Sequence, residues 1–432
     1  MENNVLMPTE IEFYVDTIPS LSILDLGSTL WIDWHKRCQQ LCQQAVIEAS
    51  AMREETVKEA FISLQKVTDL IYQVIQIIVW KNKVMPILLE LEPHPKSTII
   101  AYSILFHEVT CVSLLEIILY HENSWEIISD HSADLLEYLV SSSSHLLSTR
   151  YCQEMKNESA KQELERQKTN IGFEIGIKSL TILRYFAENI AKLPIDITNR
   201  IYRHYDIPIF LSEILLAAPW NVDDKEYVNG KWKELNYSIV NPAATQCWLG
   251  IRQFLLDPVC QKYYAITKNR KGTFLRLLPL MSPVLMDHIS PLIELKHWLC
   301  RIATMEETSD PPRPINIIEV VLDFKDRIYK DVHKIKGKYR SLAKMQLQSI
   351  FNNDKQFIQQ TAQKFSEAYN LDFFEKYSTS DITTTNTCVR CEKSSLKRCS
   401  RCKKAWYCSR ACQVEHWPQH KEYCITEKNE TK

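Results

Sequence analysis

Between Cys388 and Cys424 the chain sets seven cysteines and one histidine in four close pairs: Cys388 with Cys391, Cys399 with Cys402, Cys408 with Cys412, and His420 with Cys424. Thiolate and imidazole are the donors favoured by structural zinc, which takes four ligands in a tetrahedron. A Cys-x2-Cys turn presents both sulfurs to one ion, and two residues four apart on a helix share a face. Eight such ligands make two closed sites, so two zinc ions are expected. A segment this short lacks a sizeable apolar core, and metal must supply its folding energy, on the order of 10 kcal/mol or more per ion.

Cys412, His416, His420 and Cys424 all step by four, so spacing alone does not exclude His416. The other eight ligands already saturate two ions, and Pro418 is expected to interrupt the helix between the two histidines. His416 is therefore read as a surface residue. The remaining seven cysteines, Cys38, Cys42, Cys111, Cys152, Cys247, Cys260 and Cys300, are scattered. Scattered thiols suit a reducing compartment, and the terminal cluster suits metal. His35, Cys38 and Cys42 fall on one amphipathic helix with no fourth ligand nearby, and are read as core positions.

Everything before the cluster reads as helix after helix. Phe173, Ile177, Leu180, Leu183, Phe186, Ile190 and Leu193 follow by steps of three or four, one face of an α-helix, which Pro194 then ends. Similar runs cover Glu54 to Trp80, Ser97 to His121, Ile317 to Phe351 and Lys355 to Tyr369. With 7 glycines in 432 residues, nucleotide-cradling loops and tight hairpins are hard to build. No run of alternating strands competes with the helices. The fold class is all-α.

A short pattern recurs around Pro86 (Val84 to Leu89), Pro208 (Ile207 to Leu211) and Pro291 (Ser290 to Leu295). The spacings approximate multiples of about 41 residues, within the range of armadillo and HEAT repeats, where proline opens a helix at its first turn. An armadillo- or HEAT-like solenoid is expected for residues 1–304. Met305 to Pro314, with three prolines and three acids, is read as a linker. Residues 315–377 form a final helical segment. Ser378 to Thr387, with seven Ser or Thr in ten residues, is read as a tether. The finger occupies 388–424 and a polar tail 425–432. The stretch Pro219 to Trp232, with Asp223, Asp224 and Gly230, is read as an ordinary surface insertion.

Net charge is −1, with no global attraction to nucleic acid or an acidic membrane. The segment from Cys388 to Cys424 carries nine Lys or Arg against three Asp or Glu, but seven thiolates and two zinc ions offset much of that surplus. DNA binding is not expected. Met1 to Phe13 holds three glutamates, no basic residue and no apolar core, so no secretory leader is expected. The most apolar stretch, Leu70 to Trp80, is about half of a membrane span. No membrane span is expected.

Cys399-Ser400-Arg401-Cys402, Trp406-Tyr407-Cys408-Ser409, Cys412-Gln413, His416-Trp417 and His420-Lys421-Glu422-Tyr423-Cys424 resemble the MYND finger. The resemblance implies interleaved sites, with Cys388, Cys391, Cys408 and Cys412 on one zinc and Cys399, Cys402, His420 and Cys424 on the other. It also implies protein binding in a shallow groove that takes short proline-containing peptides through Gln413 and Trp417. In the body, Phe173 to Leu180, Leu183 to Tyr185 and Leu342 to Gln348 resemble the MYND-bearing factors that preassemble axonemal dynein arms. That resemblance implies a cytoplasmic protein, with the centrosome, its satellites or the ciliary base as further sites. The implied partners are a leucine-rich-repeat dynein assembly factor, a ninety-kilodalton heat-shock chaperone, an FKBP-type immunophilin and dynein chains as clients.

Two other classes compete. MYND fingers also accompany SET-type lysine methyltransferases, but this chain has no Asn-His pair and no Gly-x-Gly, and no enzyme activity is expected. A nuclear co-repressor is the alternative, with Lys268 to Lys271 and Lys397 to Lys404 as import signals. The second of these runs is occupied by zinc ligands.

Replacing Cys399 with serine should release zinc and unfold the finger while the body keeps its helical circular dichroism. Loss of body helicity in that variant would contradict independent folding of the two parts.

Overall fold

The computed structural model describes residues 6–51, 54–148, 151, 158–236, 239–306, 322–352 and 354–368, and in the C-terminal part 389–391, 397–398, 405–407 and 409–424. The chain divides into two compact units, Met1–Tyr369 and Asn370–Lys432. The expected tether at 378–387 and tail at 425–432 lie outside the described residues, as does the 305–314 linker from residue 307 onward.

The first unit, the body, is helical. Its N-terminal half comprises α1 (Pro8–Asp16), α2 (Thr29–Ala51), α3 (Thr56–Ser63), α4 (Val67–Lys83), α5 (Met85–Leu91), α6 (Ile99–Ile118), α7 (Ser124–Ile127) and α8 (Ser132–Ser148). There follow α9 (Ala160–Glu188), α10 (Ile195–Asn199), α11 (Ile207–Ala217), α12 (Pro242–Leu256), α13 (Pro258–Tyr263), α14 (Lys268–Leu275), α15 (Pro283–His288) and α16 (Leu292–Thr304). Helices α17 (Asp323–His333), α18 (Lys338–Ile350) and α19 (Lys355–Ala368) complete it. The expected run from Glu54 to Trp80 is two helices, because Gln65 adopts a left-handed φ of 56° between α3 and α4. The three repeated prolines each stand at a helix start: Pro86 and Pro208 within the first turns of α5 and α11, and Pro291 as the N-cap of α16.

Helix α6 is the centre. It packs against α2, α4 and α9. Ile100, Ile104, Leu105, Cys111, Val112, Leu114, Leu115 and Ile118 are all buried, so apolar residues surround its axis instead of lining one face. At 20 residues it is long and apolar enough to cross a bilayer. The expected most apolar stretch, Leu70 to Trp80, is thus surpassed by Ile99–Ile118. Most of α6 is buried among its neighbours, the environment of a core helix.

Successive helices stack beyond it, α8 on α9, α9 on α12 and α12 on α11. The α8–α9 contact is close: a Cβ on Gly176 would lie 2.8 Å from the Leu146 side chain, so glycine is what lets the helices approach. The stack then closes on itself. Helix α17 lies against α4, α18 against α5 and α6, and α19 against α2. Gln346 fastens this return: its amide donates to the Ile23 carbonyl at 2.8 Å and accepts from Trp80 Nε1 at 3.1 Å. A linear solenoid, where each unit touches only its neighbours, has no such contacts.

The insertion at 219–232 is not an irregular loop. Strands β1 (Asn221–Val222), β2 (Lys225–Val228) and β3 (Lys231–Glu234) form an antiparallel sheet in that order. Asn229 and Gly230 turn the β2–β3 hairpin with φ of 50° and 81°, the left-handed pair that a two-residue hairpin requires. Tyr227 and Trp232 pair across the strands, and their rings meet Phe173 of α9. The signal was Asn-Gly between short β-favouring runs.

A charged pair is sealed at the junction of α4, α6 and α8. Lys81 Nζ lies 2.6 Å from Glu108 Oε2, and Tyr138 OH donates to Glu108 Oε1 at 2.9 Å. Glu108 is fully buried. Removing one partner of a buried pair strands the other, at about 3–5 kcal/mol. Glu108→Ala should lower stability by that order in urea denaturation, and adding Lys81→Met with Tyr138→Phe should recover most of it.

Candidate metal centre and peptide-binding surface

Among its described residues the second unit has a short antiparallel ladder, β4 (Lys397–Arg398) with β5 (Trp406–Tyr407), and a helix, Arg410–Tyr423. Ser409 caps the helix by accepting from Cys412 N at 3.2 Å. The helix runs through Pro418 without ending, so the expected interruption between His416 and His420 is absent.

Of the eight expected ligands, Cys391, Cys412, His420 and Cys424 are described; Cys388, Cys399, Cys402 and Cys408 lie outside the described residues. Cys391 Sγ and Cys412 Sγ, 21 residues apart in sequence, are 3.8 Å apart. Two sulfurs each about 2.3 Å from a tetrahedral zinc would be separated by about 3.8 Å. The pair therefore fits one ion, and Cys391 and Cys412 would hold it. His420 and Cys424 are both buried, at the last turn of the helix and at its C-cap. The apolar cluster of the unit comprises Ala405, Tyr407 and Cys424, with Cys412 against it.

His416 is half-buried, not a surface residue. Its Nδ1 and the hydroxyl of buried Tyr407 are hydrogen-bonded at 2.9 Å, and its ring stacks on His420 with centroids 5.7 Å apart. Spacing could not reveal this, because Tyr407 reaches His416 from another element.

Gln413 and Trp417 are four apart, hence on one face. Gln413 is half-buried. Trp417 is 36% exposed while its ring packs at a steep angle against that of His420, centroids 5.9 Å apart. It is thus both a packing residue against an expected ligand and an open apolar surface. Val414, which sequence reasoning did not single out, is 63% exposed beside it. The import signal read at Lys268 to Lys271 is not a free basic patch. Arg270 turns inward, donating to Asp206 Oδ2 at 2.8 Å and to the Ala265 carbonyl at 2.9 Å.

Residues 388–424 match the MYND finger family. Over 451 aligned residues the chain is 32% identical to the zinc finger MYND domain-containing protein 10 homolog of Drosophila melanogaster, spanning 98% of this chain and 99% of that protein. The chain belongs to the zinc finger MYND domain-containing protein 10 family. It is also 49% identical over 41 residues to the human N-lysine methyltransferase SMYD2, which is 9% of this chain and 10% of the enzyme. A third likeness, 37% over 75 residues, is to ubiquitin carboxyl-terminal hydrolase 19 of Arabidopsis thaliana, 11% of that protein. Likenesses this short carry neither enzyme's chemistry to the body. No solved structure matches the chain. As a zinc finger MYND domain-containing protein 10 relative with a MYND finger, the chain is a zinc-binding protein with a protein-interaction role.

Tyr407→Phe removes one half-buried hydrogen bond and no ligand. The finger should keep its full zinc content and lose about 1 kcal/mol in thermal melting, as read by metal analysis and calorimetry on the same preparation.

Proposed function

We propose that this protein is a non-enzymatic adaptor in the cytoplasmic preassembly of inner and outer axonemal dynein arms, with its finger docking partner proteins. The observation that carries the docking role is the Gln413, Val414 and Trp417 surface, a partly exposed apolar and amide face on the helix that also carries the expected ligands Cys412 and His420. A tryptophan held against a buried histidine loses little conformational freedom on binding, which makes it a good anchor for a peptide. The dynein-arm context rests on the resemblance of the body at Phe173 to Leu180, Leu183 to Tyr185 and Leu342 to Gln348. It is supported by a family likeness that runs the length of the chain.

On this reading a client dynein chain and a chaperone of the ninety-kilodalton heat-shock class meet on one scaffold. The leucine-rich-repeat assembly factor and the FKBP-type immunophilin join them. The adaptor acts by raising local concentration, with no chemistry of its own.

Trp417→Ala should retain zinc yet lose a partner in affinity purification from ciliating cells, whereas His420→Ala should lose zinc and partner together. The functional arm is rescue of cells lacking the protein, where Trp417→Ala should restore dynein arms and motility poorly. Full rescue by a chain without residues 388–424 would place the whole function in the body.

A further inference from the structure

The body holds a second convergence of metal-ligating side chains, away from the finger. Helices α2 and α6 bring Cys38, His107 and Cys111 together, with one ligand atom from each lying within 4.8 Å of the others. All three are buried. His107 and Cys111 are four apart on α6 and face the same way. Cys38 comes from α2 across the interface. Of the residues singled out in the sequence on this helix, Cys38 belongs to the cluster, His35 stands behind it, and Cys42 is not part of it.

The hydrogen bonds define which atoms are available. Trp34 Nε1, a donor only, gives its proton to Gln73 Oε1 at 2.8 Å, which fixes the Gln73 carbonyl toward the cluster. His107 Nε2 also reaches that oxygen at 2.8 Å, so without metal Nε2 carries the proton. His107 Nδ1 then accepts from His35 Nδ1 at 2.9 Å, and His35 Nε2 accepts from the Gln39 amide at 2.8 Å. Both imidazoles are enclosed in the core, and the hydrogen-bond chain assigns each a single proton. A neutral imidazole whose other nitrogen is held by a neighbour is the form that binds metal.

We propose that Cys38, Cys111 and His107 Nε2 form a zinc site inside the body, with Gln73 Oε1 as the fourth donor. Cys111 Sγ lies 3.5 Å from His107 Nε2. Tetrahedral zinc with about 2.3 Å to sulfur and about 2.0 Å to nitrogen separates those atoms by about 3.5 Å. Gln73 Oε1, 3.9 Å from Cys111 Sγ, completes the ring of donors after withdrawing slightly from the imidazole. Binding releases two protons, one from each thiol, while the His107 proton moves from Nε2 to Nδ1. The relay then reverses: His107 Nδ1 donates to His35, whose Nε2 donates to the Gln39 carbonyl after an amide flip. Two thiolates and a divalent ion sum to zero charge, so the filled site suits an interior without a compensating ion. A cavity of about 180 Å³ lies nearby, with Gln73 among its lining residues beside Pro19, Leu21, Asp69, Tyr72 and Arg327.

The site is independent of the adaptor role and of the finger, and the test separates them. In the full chain, all eight finger ligands are replaced, the cysteines by serine and His420 by alanine. Elemental analysis of the protein purified under reducing conditions should still find one zinc per chain. Cobalt loading should give a visible thiolate charge-transfer band. Adding Cys38→Ala and Cys111→Ala should remove both the ion and the band. If the double alanine variant fails to fold, the finger-silenced chain decides by itself, because zero zinc and no cobalt band there overturns the proposal. A Cys38–Cys111 disulfide found in that chain by mass spectrometry, with no metal, overturns it equally.

Discussion

Helix α6 leaves almost no face for water, and the architecture of the body follows from that. An amphipathic helix needs one neighbour; a helix apolar around its axis needs a sheath. Helices α2, α4 and α9 supply it. The few polar groups on α6 must then find partners inside. Glu108 meets Lys81 and Tyr138, while His107 meets His35 and Gln73. These directional bonds fix how α2, α4 and α8 are rotated about α6, which apolar packing alone leaves loosely specified. The centre of the fold is thus oily in bulk and polar at a few points, and those points set the register.

The finger solves the opposite problem. A segment of 37 residues has little room for an apolar core, so ligand bonds are expected to supply its ordering free energy. This division explains what the sequence disclosed. The finger was legible because metal chemistry is written in residue type and spacing. The helices were legible from their three- and four-residue steps, and the prolines at 86, 208 and 291 from their place at helix starts. The Asn229-Gly230 hairpin escaped because its strands are too short for alternation to be visible. The environment of His416 escaped because it depends on Tyr407, which no helical spacing links to it. The meeting of Cys38 with His107 and Cys111 was hidden for the same reason. Each helix shows only its own half of the cluster.

The resemblance noted at Leu342 to Gln348 also takes on a physical meaning. Leu342, Ala343 and Gln346 are buried where α18 returns to the first helices, so that stretch answers to packing demands from chain far upstream. The Phe173 to Leu180 stretch is constrained similarly, by Gly176 against Leu146 and by the Phe173 ring against the small sheet.

The Gln346 tie has a temporal side. Trp80 waits for a partner that lies 266 residues later in the chain. Translation at about 5–20 residues per second delivers that partner on the order of tens of seconds after Trp80 itself is made. During that interval the surface of α4 and α5 that α17 and α18 later cover is left uncovered. The nascent chain is therefore an unfinished protein for a long time at its own N-terminal end.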